Sequence, residues 1–308
     1  MHLTRLLFGI IFAIFTTTIH AEEYKILLPF PPGNLADVVL RSMQASIERN
    51  TPDRLIIINM PGAETVVAAN HFVANKNIDM IWGSSSQTVW NPLLKDTVKY
   101  RDKDFRNLVL VGTVNALWVV RSGTKIHTPQ DLVKNLPDLV GGFATAYNLN
   151  LEAVVRKYNK KSTIVPFKGT NDIVASLLGG NIDMALITGS NMLMQHVKEG
   201  KLAIIGNTGS TAITIDGITI PSVPNSLKVS GFSGISMILT HADMDERKAL
   251  RMKTLLWNAL QDPATKQVIK NLYLQPDATD NQIFIDNYIQ SEQARAKEFL
   301  IHPVSILQ

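Results

Sequence analysis

Four short polar clusters in this chain have the composition of sites for small anions. Pro31, Pro32, Gly33, Asn34 and Leu35 stand between an apolar run and a stretch of helical spacing, with Asp37 just beyond. Backbone N–H groups at such a helix start, with the positive end of the helix dipole, suit a carboxylate. A strand-to-helix turn that holds nothing has the same composition, so the fragment alone leaves both readings open. Ser84, Ser85, Ser86 and Gln87 follow a second apolar run and could donate side-chain hydrogen bonds to another oxyanion, or stand as solvated loop. Thr145, Tyr147 and Asn148 form a third cluster, for which helix capping is the competing reading. Lys168, Gly169 and Thr170 form a fourth, whose lysine is either an anion attractor or an ordinary exposed charge. Trp82 and Trp90 are candidates for apolar walls, although tryptophan is more often a core residue.

The chemistry these residues offer is binding. The seven His are scattered, and the chain has no HExxH, GxSxG, GxGxxG or Walker loop. A Ser-His-Asp triad assembles from distant positions, so motifs do not address it. The expectation is a protein that is not an enzyme and uses no metal or cofactor. With no Cys, disulfides, thiolate metal sites and cysteine nucleophiles are removed from consideration. Charged residues make up only 18% of the 308, and hydrophobic ones 45%, which fits about two globular domains rather than disorder or coiled coil.

The first residues read as an address. Arg5 precedes the apolar run Leu6 to Phe15, and a small residue, Ala21, follows a short threonine-rich stretch. This is the pattern of a secretory signal peptide over residues 1–21, too short for a membrane anchor, with cleavage expected after Ala21. Its removal leaves 29 Lys and Arg against 26 Asp and Glu, or +3. These charges are scattered with no basic stripe, so nucleic acid is not an expected partner.

Positioning the clusters requires alternating strands and helices. Tyr24–Phe30, Leu55–Ile58 and Met80–Trp82 read as strands that each end in a polar loop, and a helix with Leu35, Val38, Val39, Met43 and Ile47 follows the first. Asn34 and Asp37 resemble a capping box there. After apolar runs at Leu108–Val111 and Leu117–Val120, Thr128, Pro129 and Asp131 open a helix. Strands then follow at Leu139–Gly142, Thr163–Val165, Met184–Ile187 and Leu202–Ile205, separated by helices. Gly234–Thr240 reads as a strand returning to the first unit, and the remainder is helical. This predicts a mainly parallel α/β protein. Domain 1 is expected over 22–119 plus 240–308 and domain 2 over 120–239, with crossovers near Val119–Ser122 and Ile235–Leu239 forming a hinge.

Several segments, in order, carry a resemblance. They are Leu28-Pro29-Phe30-Pro31-Pro32-Gly33 with Asp37 and Arg41, Ile58-Asn59-Met60-Pro61-Gly62-Ala63, and Asn91-Pro92-Leu93. Further on come Val165-Pro166-Phe167-Lys168-Gly169-Thr170, Leu178-Gly179-Gly180-Asn181-Ile182-Asp183, Val197 to Leu202, and Pro221-Ser222-Val223-Pro224. Over almost its whole length the mature chain resembles the periplasmic solute-binding receptors of tripartite tricarboxylate transporters, the Bug family. The resemblance implies a two-domain periplasmic binding protein of type II-like α/β fold, with a ligand cleft between the domains. It implies a small di- or tricarboxylate as ligand, integral membrane subunits of a secondary transporter as partners, a periplasmic location and a monomer. A sensor-kinase binding protein, or a receptor for an amino acid or another small carboxylate, is the alternative. Gly33, Asn34 and Leu35 match the first carboxylate loop and Asp37 the acid at its helix start. Ser84, Ser85, Ser86 and Gln87 match the loop after the third strand. Thr145, Tyr147 and Asn148, with Lys168, Gly169 and Thr170, match the second domain's contribution. The family usually has a second Gly at Asn34, Gly-Gly at Glu64 and Thr65, and Pro near Asp172, so these departures leave open a narrowed, altered or abolished carboxylate site.

Overall fold

The computed structural model describes residues 21–143, 147–167, 170–275 and 278–301. Residues 1–20 of the expected leader, Thr145, Lys168 and Gly169 lie outside them. The first unit begins with β1 (Glu23–Leu28), α1 (Leu35–Asn50), β2 (Arg54–Asn59), α2 (Val66–Ala74) and β3 (Met80–Ser84). A π-helical turn, Ser86–Trp90, runs into α3 (Asn91–Leu94), and β4 (Phe105–Val114) follows. The second unit contains β5 (Leu117–Arg121), α4 (Pro129–Asn135), β6 (Val140–Phe143), α5 (Asn148–Tyr158), β7 (Thr163–Pro166) and α6 (Thr170–Leu178). It continues with β8 (Met184–Ile187), α7 (Asn191–Lys198), β9 (Leu202–Asn207), the hairpin β10 (Ile213–Ile215) and β11 (Ile218–Ile220), and α8 (Val223–Leu227). The chain closes with β12 (Gly234–His241), α9 (Glu246–Gln261), α10 (Pro263–Asn271) and α11 (Gln282–Ile301). No described helix is long and apolar enough to cross a membrane.

Two five-stranded sheets share one plan. The first has the order β2-β1-β3-β12-β4 and the second β7-β6-β8-β5-β9. In each, three strands run parallel and the fourth, β12 or β5, is antiparallel to both of its neighbours. Helices cover both faces, which is why the strands read as near-continuous apolar runs. Side chains alternate across the sheet: Ile26 and Leu28 enter one core with α1 and α9, while Leu27 enters the other with Phe72 and Ile289.

The passages between sheets fall earlier than the sequence suggests. The apolar runs expected to cross are paired on both sides, β5 between β8 and β9 and β12 between β3 and β4. A strand with both ladders filled belongs to its sheet, so the chain passes over at Asn115–Ala116 and between Leu227 and Gly234. Boundaries at 119/120 and 239/240 would cut through β5 and β12. The α/β class and the two-unit architecture stand as expected.

The strand register also sets which loops meet. Ser84 at the end of β3 pairs with Ser236 near the start of β12, and Gly234 pairs with Val114 at the end of β4. In the second sheet Leu117, the start of β5, pairs with both Ile187 and Asn207. The end of β3 therefore lies at the edge where the chain leaves β4, with the ends of the parallel strands β1 and β2 beside it.

Candidate functional site

Gly33 takes a left-handed conformation (φ 79°), open to glycine without strain, and turns the chain into α1. Asn34 caps that helix, its Oδ1 accepting from the Ala36 N–H at 2.7 Å. Asp37 does not complete a capping box on Asn34. Its carboxylate accepts instead from Gly33 N–H at 2.9 Å, from Arg41 Nε at 2.8 Å and from Asn59 Nδ2 at 3.1 Å. Burial works to raise the Asp37 pKa, but these donors outweigh it and hold the carboxyl below the usual carboxylate range. Asn59 also donates to Phe30 O at 3.0 Å, so the loops after β1 and β2 are tied together. Leu35 is half-buried against the core on the α1 side. In this arrangement Asp37 shapes the loop from within and uses the Gly33 amide to do so.

The loop after β2 is more strained. Ala63, Glu64 and Thr65 are all left-handed, with φ of 45°, 52° and 79°. Each such residue costs roughly 1–2 kcal/mol when it carries a Cβ. The turn is held by Asn91, whose Nδ2 donates to Glu64 O at 2.8 Å and Thr65 Oγ1 at 3.3 Å, and by Lys95 Nζ on Glu64 Oε2 at 2.9 Å. Glycines would be unstrained where Glu64 and Thr65 stand.

The serine cluster divides into two roles. Ser85 Oγ accepts from Ile235 N–H at 2.8 Å and donates to Ser233 O at 3.4 Å, fastening this loop to the second passage between sheets. Gln87 is wholly buried in the π-helical turn, and neither amide atom has a protein partner; the same holds for Ser84 Oγ. A buried polar group that the protein leaves unmatched is costly, so a water, an ion or a ligand is its expected partner. Ser86 opens the turn and is half-buried. Trp82 and Trp90 are buried in the cores rather than lining a wall, Trp90 edge-on to Phe232 at 5.1 Å.

From the second unit, Tyr147 reaches the first. A Cβ on Gly234 would stand 3.0 Å from its hydroxyl, and burial pushes the phenol pKa up. Asn148 begins α5 and Thr170 begins α6, as expected of residues at strand-to-helix turns. Asn150 was not among the expected residues, yet it pins α5 to the passage: its Nδ2 donates to Phe232 O at 3.0 Å and its Oδ1 accepts from Phe232 N–H at 2.8 Å. Asn59 and Asn91 act through both backbone and side chain of distant loops, and Asn150 through the backbone of one, which no local spacing reveals. The described cations beside the first unit's loops, Arg41 and Lys95, are each paired with an acid, Asp37 or Glu64. Among the described residues no group of three His, Asp or Glu could hold a metal ion. The polar groups of these loops that carry no charge are hydroxyls, a carboxamide and a phenol.

A family profile described as the tripartite tricarboxylate transporter family receptor matches residues 39–304. The chain belongs to this receptor family. BugT of Bordetella pertussis is 24% identical over 217 residues, 66% of each chain. Among solved structures, MatC from Rhodopseudomonas palustris with bound malate superposes with a TM-score of 0.76 at 17% identity, covering 90% of this chain and 98% of its own. A second R. palustris protein, with adipate, gives 0.77 at 15%, covering 90% and 96%. Both structures share the fold over about 90% of the chain.

Proposed function

We propose that this receptor captures a small organic acid of the di- or tricarboxylate class between its two units and hands it to the membrane subunits of a secondary transporter. The observation that carries the reading is Gln87: a fully buried carboxamide with no protein partner, in the turn that follows the end of β3. Ser84, Ser86, the Asn34 loop, Tyr147, Asn148 and Thr170 are proposed to complete the site with Gln87, together with Thr145, Lys168 and Gly169, which lie outside the described residues. Neutral donors spare the site the desolvation cost of bringing a second charge into a buried place beside the carboxylate. The malate and adipate held by the two structural relatives are acids of this class. Residues 22–114 with 234–308, and 117–227, act as the two domains, joined by the two passages. The receptor works as a monomer in the periplasm, after loss of its leader.

Native mass spectrometry of the purified mature protein, followed by thermal shift with malate, adipate and citrate, tests this. A co-purifying acid, or a midpoint that rises with ligand concentration as mass action requires, supports it. Folded protein that no carboxylate stabilises would overturn it in favour of an amino acid or uncharged solute.

A further inference from the structure

Between α10 and α11 the chain does something that neither core explains. Leu272 and Leu274 both pack into the first unit's core with α1 and α9, but Tyr273 between them packs into the second unit's core with Leu193 and Ile215. The reversal is made by a left-handed residue, φ 57°, at the position after a helix where glycine is usual. A tyrosine there carries backbone strain that glycine would remove. In return its ring crosses the seam.

The segment is rooted in the first unit. Gln275 N–H donates to Thr113 O at 3.0 Å and Leu110 N–H to Thr279 O at 2.8 Å, so the tail lies along the free edge of β4. Gly112 permits that approach, since a Cβ there would stand 2.6 Å from Gln275 O. On the far side, the Tyr273 ring lies against Gly189 in the loop after β8. A Cβ on Gly189 would stand 2.9 Å from Tyr273 Cβ and 3.1 Å from Cγ and Cδ2. The hydroxyl donates to Asp216 Oδ2 at 3.3 Å in the turn of the β10–β11 hairpin, and Lys198 of α7 holds the same carboxylate at 2.9 Å.

We infer that Tyr273 is a positioning residue for ligand capture, a non-covalent link that, with the two chain passages and the packing of Leu149 and Ala153 of α5 into the first unit's core, sets how closely the two units approach. This rests on the reading that ligand is taken between the units. Contacts that hold the units together raise the fraction of molecules competent to bind, and apparent affinity follows that fraction.

The absence of Cys makes the test direct. Spin labels on Lys103→Cys and Ala175→Cys, exposed on the first and second unit, report their separation without any ligand. Gly189 is not left-handed, so Gly189→Ala is a steric wedge against Tyr273 rather than a backbone lesion. The expected result is a longer mean distance and several-fold weaker binding of whichever carboxylate stabilises the parent protein. Adding Tyr273→Gly removes the ring and Cβ that the wedge strikes, and should abolish the extra separation due to the wedge. Tyr273→Phe keeps the packing and should broaden the distances by loss of the Asp216 bond alone. Unchanged distance distributions in Gly189→Ala and Tyr273→Phe, in protein with parental thermal stability, would overturn the inference. Distances that shift while no carboxylate binds would support the link and overturn the ligand reading instead.

Discussion

The Asp37 carboxylate accepts the N–H of Gly33, four residues before it, at 2.9 Å. The backbone donor that the sequence offers to an anionic ligand is therefore engaged by the protein's own acid. Gly33→Pro would remove this amide and place proline at φ 79°, far from the value near −65° that its ring fixes. Any loss of binding in that variant would pass through a broken loop.

Asp37 should be a pH-dependent stabiliser. Its folded pKa is held below the unfolded value, so its contribution is present at neutral pH and is lost as pH falls through the folded value, from about 3.8 downward. Asp37→Asn should lower stability at pH 7 by about 1.5–3 kcal/mol, the range for hydrogen bonds to a charged group. Urea unfolding between pH 7 and pH 3 checks this: the variant's deficit should shrink at the acid end.

Gln87 separates structure from function by two readouts. Gln87→Met keeps the approximate volume and removes an unmatched buried amide, so the unliganded protein should be no less stable, and more stable by up to about 1–3 kcal/mol. Calorimetric titration with the stabilising acid should show weaker binding in the same variant. Lower thermal stability with unchanged affinity would assign Gln87 to packing.

The left-handed turn predicts gains and losses of opposite sign. Ala63→Gly relieves a Cβ at φ 45° and should stabilise by about 1 kcal/mol. Asn91→Ala removes the donor shared by Glu64 O and Thr65 Oγ1 and should cost about 1–3 kcal/mol. Differential scanning calorimetry of the two variants measures both.

His241 should make the first unit acid-sensitive in a milder range. Burial lowers its pKa from 6.5; the ring stacks on Phe72 at a centroid distance of 4.0 Å, and Nε2 lies 3.0 Å from Ile78 O. Because the unfolded chain takes up the proton first, stability should fall as pH drops below 6.5 toward the lower folded value. His241→Gln, which retains a donor for Ile78 O, should flatten the unfolding midpoint between pH 7 and pH 5.5.

The strands and caps were legible because their signals are local. Thr128 and Asp131 form the capping box their spacing indicates, and the Gly- and Pro-bounded apolar runs became strands. Asn34 and Asp37 show the limit of such signals: Asn34 caps α1, while Arg41 and Asn59 help draw Asp37 onto Gly33. Apolar content identified β5 and β12 as strands, but only their ladder partners reveal which sheet holds each. Ala63, Glu64, Thr65 and Tyr273 gave no warning of left-handed backbone, since nothing in their side chains favours it and distant contacts impose it.

The place of β12 has a consequence for the order in which the molecule can form. It fills the gap between β3 and β4, yet it is made only after the entire second unit. Until residues 234–241 arrive, both strands face an open edge, the state most prone to pairing with another chain. The second sheet needs nothing made later than β9, so it can assemble first, and the first sheet completes only through contacts of long sequence separation, which form slowly. Pulsed hydrogen exchange during refolding should therefore protect β5, β6 and β8 before β3 and β4.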